Sequence, residues 1–146
     1  MAVAAPPLTL FLADDHAAYR ACVADLLRPR GFTILGEAPD VPALQAWLAQ
    51  APLPPDVLLM DVQMPGGGPQ ALTALLARHP RLRVLVLSMH DEPAIVDAMR
   101  AAGACGYLLK DDPIAELVQA IRAVAAGARD VGRAGGISHP PAPSQQ

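Results

Sequence analysis

Residues 8–27, LTLFLADDHAAYRACVADLL, contain the pattern that decides the fold. The run from Leu8 to Ala13 is apolar throughout, which is typical of a strand buried on both faces. Asp14 and Asp15 follow directly, and an amphipathic helical pattern begins after them. This stretch therefore predicts a βα unit with two like charges at the end of a buried strand.

Similar units repeat along the chain. Further apolar runs start roughly two dozen residues apart, which is about the length of a βα unit with its loops. These runs cover residues 33–38, 57–60, 84–87 and 106–109, and helical patterns lie between them. Because continuous apolar strands are typical of parallel sheets, we expect an α/β fold with one doubly wound (βα)5 domain over residues 6–127. The expected sheet has five parallel strands in the order 2-1-3-4-5.

The composition excludes several classes of protein. The chain of 146 residues suits one domain, and its net charge of -3 comes with arginines that are scattered along the sequence. Since no basic stripe is present, we expect no direct nucleic-acid binding and no membrane partner. Cys22 and Cys105 are too few for a disulfide framework, and we expect both to be small buried side chains. Without a signal peptide or a bilayer-spanning run, the sequence predicts a soluble cytoplasmic protein.

Residues 128–146 differ from the rest of the chain. They read ARDVGRAGGISHPPAPSQQ, are rich in Gly, Pro, Ser and Gln, and have no periodic apolar face. Such a composition buries too little apolar surface to offset the entropy of ordering, so we predict a disordered tail. No output domain is expected within the chain.

Polar side chains follow four of the five predicted strands. Asp14 and Asp15 follow the first strand, Asp61 the third, Ser88 the fourth, and Lys110, the only lysine of the chain, the fifth. Ligands of an open α/β sheet bind beyond the carboxyl ends of the strands. In the strand order 2-1-3-4-5 these four ends are neighbours, so three carboxylates, a hydroxyl and an ammonium group are expected to share one crevice.

The expected crevice is rich in negative charge. Two carboxylates about 4 Å apart repel each other by roughly 4 kcal/mol at an effective dielectric constant of about 20. One lysine offsets only part of this repulsion, and oxygen ligands with room for water suit Mg²⁺. A metal ion beside a carboxylate, a hydroxyl and a lysine can handle a phosphoryl group, with Asp61 as the nucleophile. The structural alternative is that Asp14 and Asp15 cap the first helix, although one cap needs only one aspartate.

Four segments resemble the receiver domains of bacterial two-component response regulators. They read LFLADDH, DVLLMDVQMP, VLVLSMHD and GACGYLLKD, and they follow the family's order over nearly the whole predicted domain. The residues DDH, SMHD and GYLLKD are most similar to receivers joined to a LuxR-type helix-turn-helix domain. The resemblance implies the flavodoxin-like receiver fold and a protein that is switched by phosphorylation.

The resemblance assigns the metal ligands residue by residue. Asp61 is implied as the phosphoacceptor, and Asp15 and Asp61 would bind Mg²⁺ through carboxylate oxygens. The main-chain carbonyl of Gln63 would be a third ligand, and Asp14 would hold the metal through water. No other cofactor is implied.

The resemblance also implies how the phosphoryl group is held and sensed. Lys110 would pair with the phosphoryl oxygens, Ser88 would donate a hydrogen bond to them, and Pro65 would shape the loop after Asp61. Tyr107 would be the switch residue, turning inward when Ser88 moves toward the phosphoryl group; ordinary packing against the fourth helix is the alternative. The face formed by the fourth helix, the fifth strand and the fifth helix would then change.

The predicted function is a response regulator receiver that accepts a phosphoryl group from a histidine kinase and signals through that face. Its chemistry is limited to self-catalysed phosphotransfer and dephosphorylation, so the chain is not predicted to be an enzyme otherwise. Its downstream partner is a protein that the sequence does not identify. Pairing of two receivers through the same face is compatible with the pattern.

Two other functions are alternatives. A phosphate-independent binding module is one, because the loop PGGGPQAL replaces the family's usual turn and its three glycines are expected to make the loop more flexible. A haloacid-dehalogenase-type phosphatase is disfavoured, since Gln63 stands where such enzymes need an acid-base aspartate. His16 and His90 are interpreted as polar residues at the rim of the crevice.

Overall fold

The structure, a computed structural model, describes residues 6–133 and contains one parallel sheet with helices on both faces. The strands are β1 (Leu8–Ala13), β2 (Phe32–Ala38), β3 (Val57–Asp61), β4 (Val84–Ser88), β5 (Gly106–Leu109) and β6 (Val131–Gly132). The helices are α1 (Ala17–Leu27), α2 (Val41–Gln50), α3 (Pro69–Arg78), α4 (Pro93–Ala101) and α5 (Ile114–Ala125), and a 3-10 turn (Arg28–Arg30) follows α1.

The strand order is β2-β1-β3-β4-β5-β6, and every neighbouring pair is parallel. The predicted doubly wound fold and the order of its first five strands are therefore confirmed. The bounds of β1 and β5 agree with the prediction, while β3 and β4 each extend one residue further, to Asp61 and Ser88. These two polar side chains thus lie on the last residues of their strands, where the sheet holds their backbone.

Alternating side chains of the strands build a core on each face of the sheet. In β1, Leu10 and Leu12 pack on the side covered by α1 and α5. Phe11 and Ala13 pack on the side covered by α2, α3 and α4. Burial on both sides explains why the strand sequence is continuously apolar rather than alternating. Within residues 6–133, no helix has the length and apolar character needed to cross a bilayer.

Helix α1 differs from its sequence prediction at Cys22. Cys22 was expected to be buried, but it is exposed, and the buried residues of the helix are Val23, Ala24 and Leu27. The expectation that both cysteines are buried is therefore wrong for one of them.

A sixth strand was not predicted. The backbone amides of Val131 and Arg133 donate hydrogen bonds to the carbonyl oxygens of Cys105 (3.1 Å) and Tyr107 (2.7 Å), which places β6 along β5. The predicted disorder of residues 128–146 therefore does not hold for this strand, whose two residues are too few to show a periodic pattern. Residues 134–146 lie outside the described residues.

Ion pairs hold β6 at both ends. Before the strand, Arg100 at the end of α4 lies 2.5 Å from a carboxylate oxygen of Asp130. After it, Arg133 lies 2.7 Å from a carboxylate oxygen of Asp112, in the loop between β5 and α5. The segment that follows α5 thus connects α4, β5 and the start of α5.

Eight of the ten arginines lie at one end of the molecule, where helices finish and strands begin: Arg28, Arg30, Arg78, Arg81, Arg83, Arg100, Arg122 and Arg129. Ten of the fourteen acidic residues lie at the opposite end, in the last residues of strands, the following loops and the first helical turns: Asp14, Asp15, Glu37, Asp40, Asp61, Asp91, Glu92, Asp111, Asp112 and Glu116. The expectation of scattered arginines is wrong in three dimensions, because loops distant in sequence meet at one end.

Replacing Gly132 by Val should detach β6. Gly132 has a φ of +85°, and a Cβ atom there would lie 2.3 Å from the carbonyl oxygen of Tyr107. We expect much faster hydrogen exchange of the Arg133 amide, measured by NMR. The control Gly127→Val carries a similar left-handed strain of about 1–2 kcal/mol but meets no atom within 4 Å. Equal exchange of the Arg133 amide in the two variants would contradict this account of β6.

Candidate functional site

Asp14 is positioned by the end of β1. Its backbone amide donates to the carbonyl oxygen of Ala38 (2.9 Å), which ties the turn to β2. Its Oδ1 accepts a hydrogen bond from the backbone amide of His16 (2.8 Å), the residue that precedes α1. The N-cap of α1 is His16, and no side chain caps the helix, so Asp14 does not cap it. Asp15 makes no hydrogen bond to the start of α1 in the described structure either, and its side chain is 38% exposed. The capping alternative is therefore wrong for both acids.

Asp61 is the last residue of β3, and its side chain is only 2% exposed. Its Oδ1 accepts a hydrogen bond from the backbone amide of Gln63 (3.0 Å). Burial raises the pKa of Asp61 above its ordinary value, and the negative charge of Asp14 acts in the same direction. The amide of Gln63 and the ammonium group of Lys110 oppose this increase because both favour the ionised form.

The ammonium group of Lys110 lies at the centre of the site. Nζ is 2.8 Å from Oδ2 of Asp14, 3.1 Å from Oδ2 of Asp61 and 3.0 Å from Nδ1 of His16. An ammonium group has three N–H donors, so these three acceptors account for all of them. Nζ also lies 4.9 Å from the centre of the Tyr19 ring, within cation–π distance. The lysine side chain is 4% exposed, which shows how closely its partners surround it.

Four residues around Lys110 could hold a metal ion. Asp14, Asp15, His16 and Asp61 each offer one ligand atom, and these atoms all lie within 4.8 Å of one another. Three carboxylates against one ammonium group leave excess negative charge in a partly buried site, which favours a divalent cation. Carboxylate oxygens and imidazole nitrogen are both common metal ligands, so the donor set fits such an ion.

Ser88 and Tyr107 both hold the backbone of His90. Ser88 is fully buried at the end of β4, and its Oγ accepts a hydrogen bond from the His90 amide (3.0 Å). The hydroxyl of Tyr107 donates to the His90 carbonyl oxygen (2.5 Å). Burial raises the pKa of Tyr107, so its hydroxyl stays protonated as a donor. The buried Tyr107 ring already occupies the inward position that the resemblance associates with switching.

The loop PGGGP after Asp61 is a compact turn. The amide of Gly67 donates to the carbonyl oxygen of Met64 (2.8 Å), and the carbonyl oxygen of Pro65 accepts from the amide of Val41 (3.1 Å). A Cβ atom on Gly67 would lie 2.7 Å from the carbonyl oxygen of Val62, so a larger residue would not fit. These contacts explain why the loop needs a glycine at position 67.

The structure brings together Asp14, Asp15, Asp61 and Lys110, as the strand order predicts. Sequence reasoning missed two members of the site, His16 and Tyr19. His16, interpreted as a rim residue, directly follows the two acids, and Tyr19 follows it by one helical turn. Burial, followed by the charges of Asp14, Cys22 and Asp61, raises the pKa of Tyr19, so the phenol stays neutral beneath the ammonium group.

Known proteins have similar sequences. The model of the response regulator receiver domain matches residues 10–122. The response regulator GacA of Pseudomonas viridiflava is 36% identical over 124 residues, which cover 84% of this chain and 57% of GacA. The probable transcriptional regulatory protein NarL of Mycobacterium tuberculosis is 43% identical over 120 residues, which cover 81% of this chain and 54% of NarL. The chain thus spans a little more than half the length of these curated relatives.

The fold is shared as well. The solved signal receiver domain of NarL from Mycobacterium tuberculosis is 37% identical and matches with a TM-score of 0.76 over 84% of this chain and 99% of that one. The sequence match covers most of the chain, and the strand order and acidic site agree with it. The chain belongs to the response regulator receiver domain family.

Proposed function

We propose that this receiver is switched by phosphorylation of Asp61, with a histidine kinase as the phosphoryl donor. The observation that carries the proposal is the contact of one buried ammonium group, that of Lys110, with the carboxylates of Asp14 and Asp61 at the ends of β1 and β3. Receivers of response regulators are phosphorylated by histidine kinases, and this chain belongs to that family. We assign the receiver domain to residues 6–127, with β6 added at the edge of its sheet, and its action to the cytoplasm.

Asp61 is the nucleophile in this proposal. The Gln63 amide orients the carboxylate through Oδ1, and Oδ2 faces the ammonium group of Lys110. A carboxylate oxygen of Asp61 forms the new P–O bond as the P–N bond of phosphohistidine breaks, and the electron pair of that bond returns to the imidazole nitrogen. Lys110 shifts its N–H groups to the phosphoryl oxygens and offsets their charge.

Mg²⁺ is the proposed cofactor. Asp15 and Asp61 would bind it through carboxylate oxygens, the carbonyl oxygen of Gln63 would add a third protein ligand, and Asp14 would act through water. When bound, such an ion supplies positive charge for the oxygens of the transferring phosphoryl group. The three carboxylates support this assignment because hard oxygen ligands suit Mg²⁺.

Signalling is proposed to leave the site through His90. A phosphoryl group on Asp61 accepts a hydrogen bond from the Ser88 hydroxyl, which draws that side chain away from the His90 amide. The backbone before α4 then shifts, and the Tyr107 hydroxyl shifts with the His90 carbonyl oxygen that it binds. The face formed by α4, β5 and α5 changes as a result. A downstream protein or a second receiver binding there also meets β6, which lies beside β5.

Phosphorylation can be tested directly with acetyl phosphate as a small-molecule donor. Incubation with acetyl phosphate and Mg²⁺ should add one phosphoryl group to the wild type and none to Asp61→Asn, as measured by intact-protein mass spectrometry. Asp25→Asn is the matched control, because Asp25 is an exposed residue of α1 paired only with Arg28, and it should react like the wild type.

Two outcomes of this experiment would overturn the proposal. A folded wild type that gains no phosphoryl group would favour the phosphate-independent binding module. Continuous hydrolysis of a free phosphate ester that Asp61→Asn abolishes would favour a phosphatase.

The stability of Asp61→Asn should exceed that of the wild type at pH 7 in the absence of divalent cations. Because burial raises the pKa of Asp61, the folded state holds the proton more tightly than the unfolded chain. Stability therefore falls as the pH rises from the ordinary aspartate pKa through the raised value. We expect a melting temperature a few degrees higher at pH 7, measured by circular dichroism, and no difference near pH 3, where both states are protonated. A difference in melting temperature between the two proteins that does not change with pH would refute this account.

A further inference from the structure

We infer that His16 is a nitrogen ligand of the metal site and shifts its preference from Mg²⁺ toward the later first-row divalent ions. The inference rests on the proposed function, because it extends the proposed oxygen ligands by one imidazole. It goes beyond that function by assigning the site a choice among metals. Three observations carry the inference: the distances within the cluster, the direction in which Nδ1 of the imidazole faces, and the exposure of the His16 side chain.

The distances fit ligands that share one ion. Nδ1 of His16 is 3.3 Å from Oδ1 of Asp14 and 3.5 Å from Oδ1 of Asp15. In an octahedral site with metal–ligand distances of about 2.1 Å, neighbouring ligand atoms lie about 3.0 Å apart and opposite ones about 4.2 Å apart. The ligand atoms of these residues and Asp61 all lie within 4.8 Å of one another. These separations are close to those of ligand atoms around one ion.

Lys110 shows which way Nδ1 of His16 faces. Its ammonium group has only donors, and Nζ lies 3.0 Å from Nδ1 of His16. In this contact Nδ1 is the acceptor, so its lone pair faces the ammonium group. A metal needs this same lone pair. The same ammonium group also contacts Asp14 and Asp61. The lone pair of Nδ1 therefore faces a place in the cluster where a positive charge already lies.

The position of His16 leaves the ring free to adjust. Its side chain is 60% exposed, while its backbone amide is held by Oδ1 of Asp14. The anchor keeps the residue at the site, and the exposure lets the ring rotate toward an ion without disturbing the core. His90 provides a contrast, because its Nδ1 lies 3.5 Å from Glu92 and the residue is not part of the cluster.

Nitrogen and oxygen ligands select different ions. Imidazole binds the later first-row metals strongly, with affinity increasing from Mn²⁺ through Co²⁺ to Ni²⁺ and Cu²⁺, whereas Mg²⁺ prefers oxygen and keeps several waters. Loss of the His16 ring should therefore weaken Co²⁺ binding. It should leave Mg²⁺ binding almost unchanged, since water takes the free position.

The test compares Co²⁺ and Mg²⁺ binding by the full chain, measured by titration calorimetry on wild type, His16→Ala and His79→Ala. We expect His16→Ala to weaken Co²⁺ binding at least about tenfold and Mg²⁺ binding less than about twofold. His79→Ala should leave both unchanged, because His79 lies at the end of α3, away from the cluster. Proton NMR of the Co²⁺-loaded wild type should show a strongly shifted exchangeable N–H signal from Nε2 of the bound imidazole, which His16→Ala and His16→Gln should lose.

The outcomes separate this inference from the proposed function. Equal Co²⁺ affinity in wild type and His16→Ala, or no shifted imidazole signal, overturns the role of His16, while intact Mg²⁺ binding leaves the proposed function standing. An equal loss of affinity for Co²⁺ and Mg²⁺ in folded His16→Ala also overturns the role of His16 in metal choice, because His16 would then support the site without selecting a metal. Failure of the wild type to bind either ion refutes the metal site and the inference together.

Discussion

The contact of Lys110 with Asp14 and Asp61 is the interaction on which the site depends. Ions in a protein interior lose their hydration, at several kcal/mol each, unless oppositely charged partners lie close. The parallel sheet creates this problem because it ends β1 and β3 side by side, and it supplies the answer because β5 ends at the same edge. The acidic site is therefore a property of the topology, with its charges brought from three distant segments of the chain.

His90 connects this charged site to the rest of the domain. Its amide is held by Ser88 from β4, and its carbonyl oxygen is held by Tyr107 from β5. Both groups belong to one residue just before α4, so a change in either hydrogen bond moves the same piece of backbone. Since Tyr107 is buried within the core that also contains residues of α4, the link between the acidic site and this helix is short and packed.

Most of the fold was predictable because each strand is buried on both faces and therefore reads as a continuous apolar run. The grouping of Asp14, Asp61 and Lys110 followed once the strand order was assumed. Strand β6 could not be predicted in this way, since it is held by backbone hydrogen bonds and its two residues are too few to show a periodic pattern. His16 belongs to the acidic cluster because the turn before α1 directs its ring there. Composition and residue spacing do not reveal that direction.

The separation of arginines and acids toward opposite ends gives the domain a large dipole moment along its strands, despite a net charge of only -3. A charged macromolecule nearby experiences a torque as well as an attraction, so it arrives already oriented. Screening limits this field to about 8 Å at physiological ionic strength, so steering acts just before contact. A cationic surface is thereby directed to the end that holds Asp61, and an anionic one to the guanidinium-rich end.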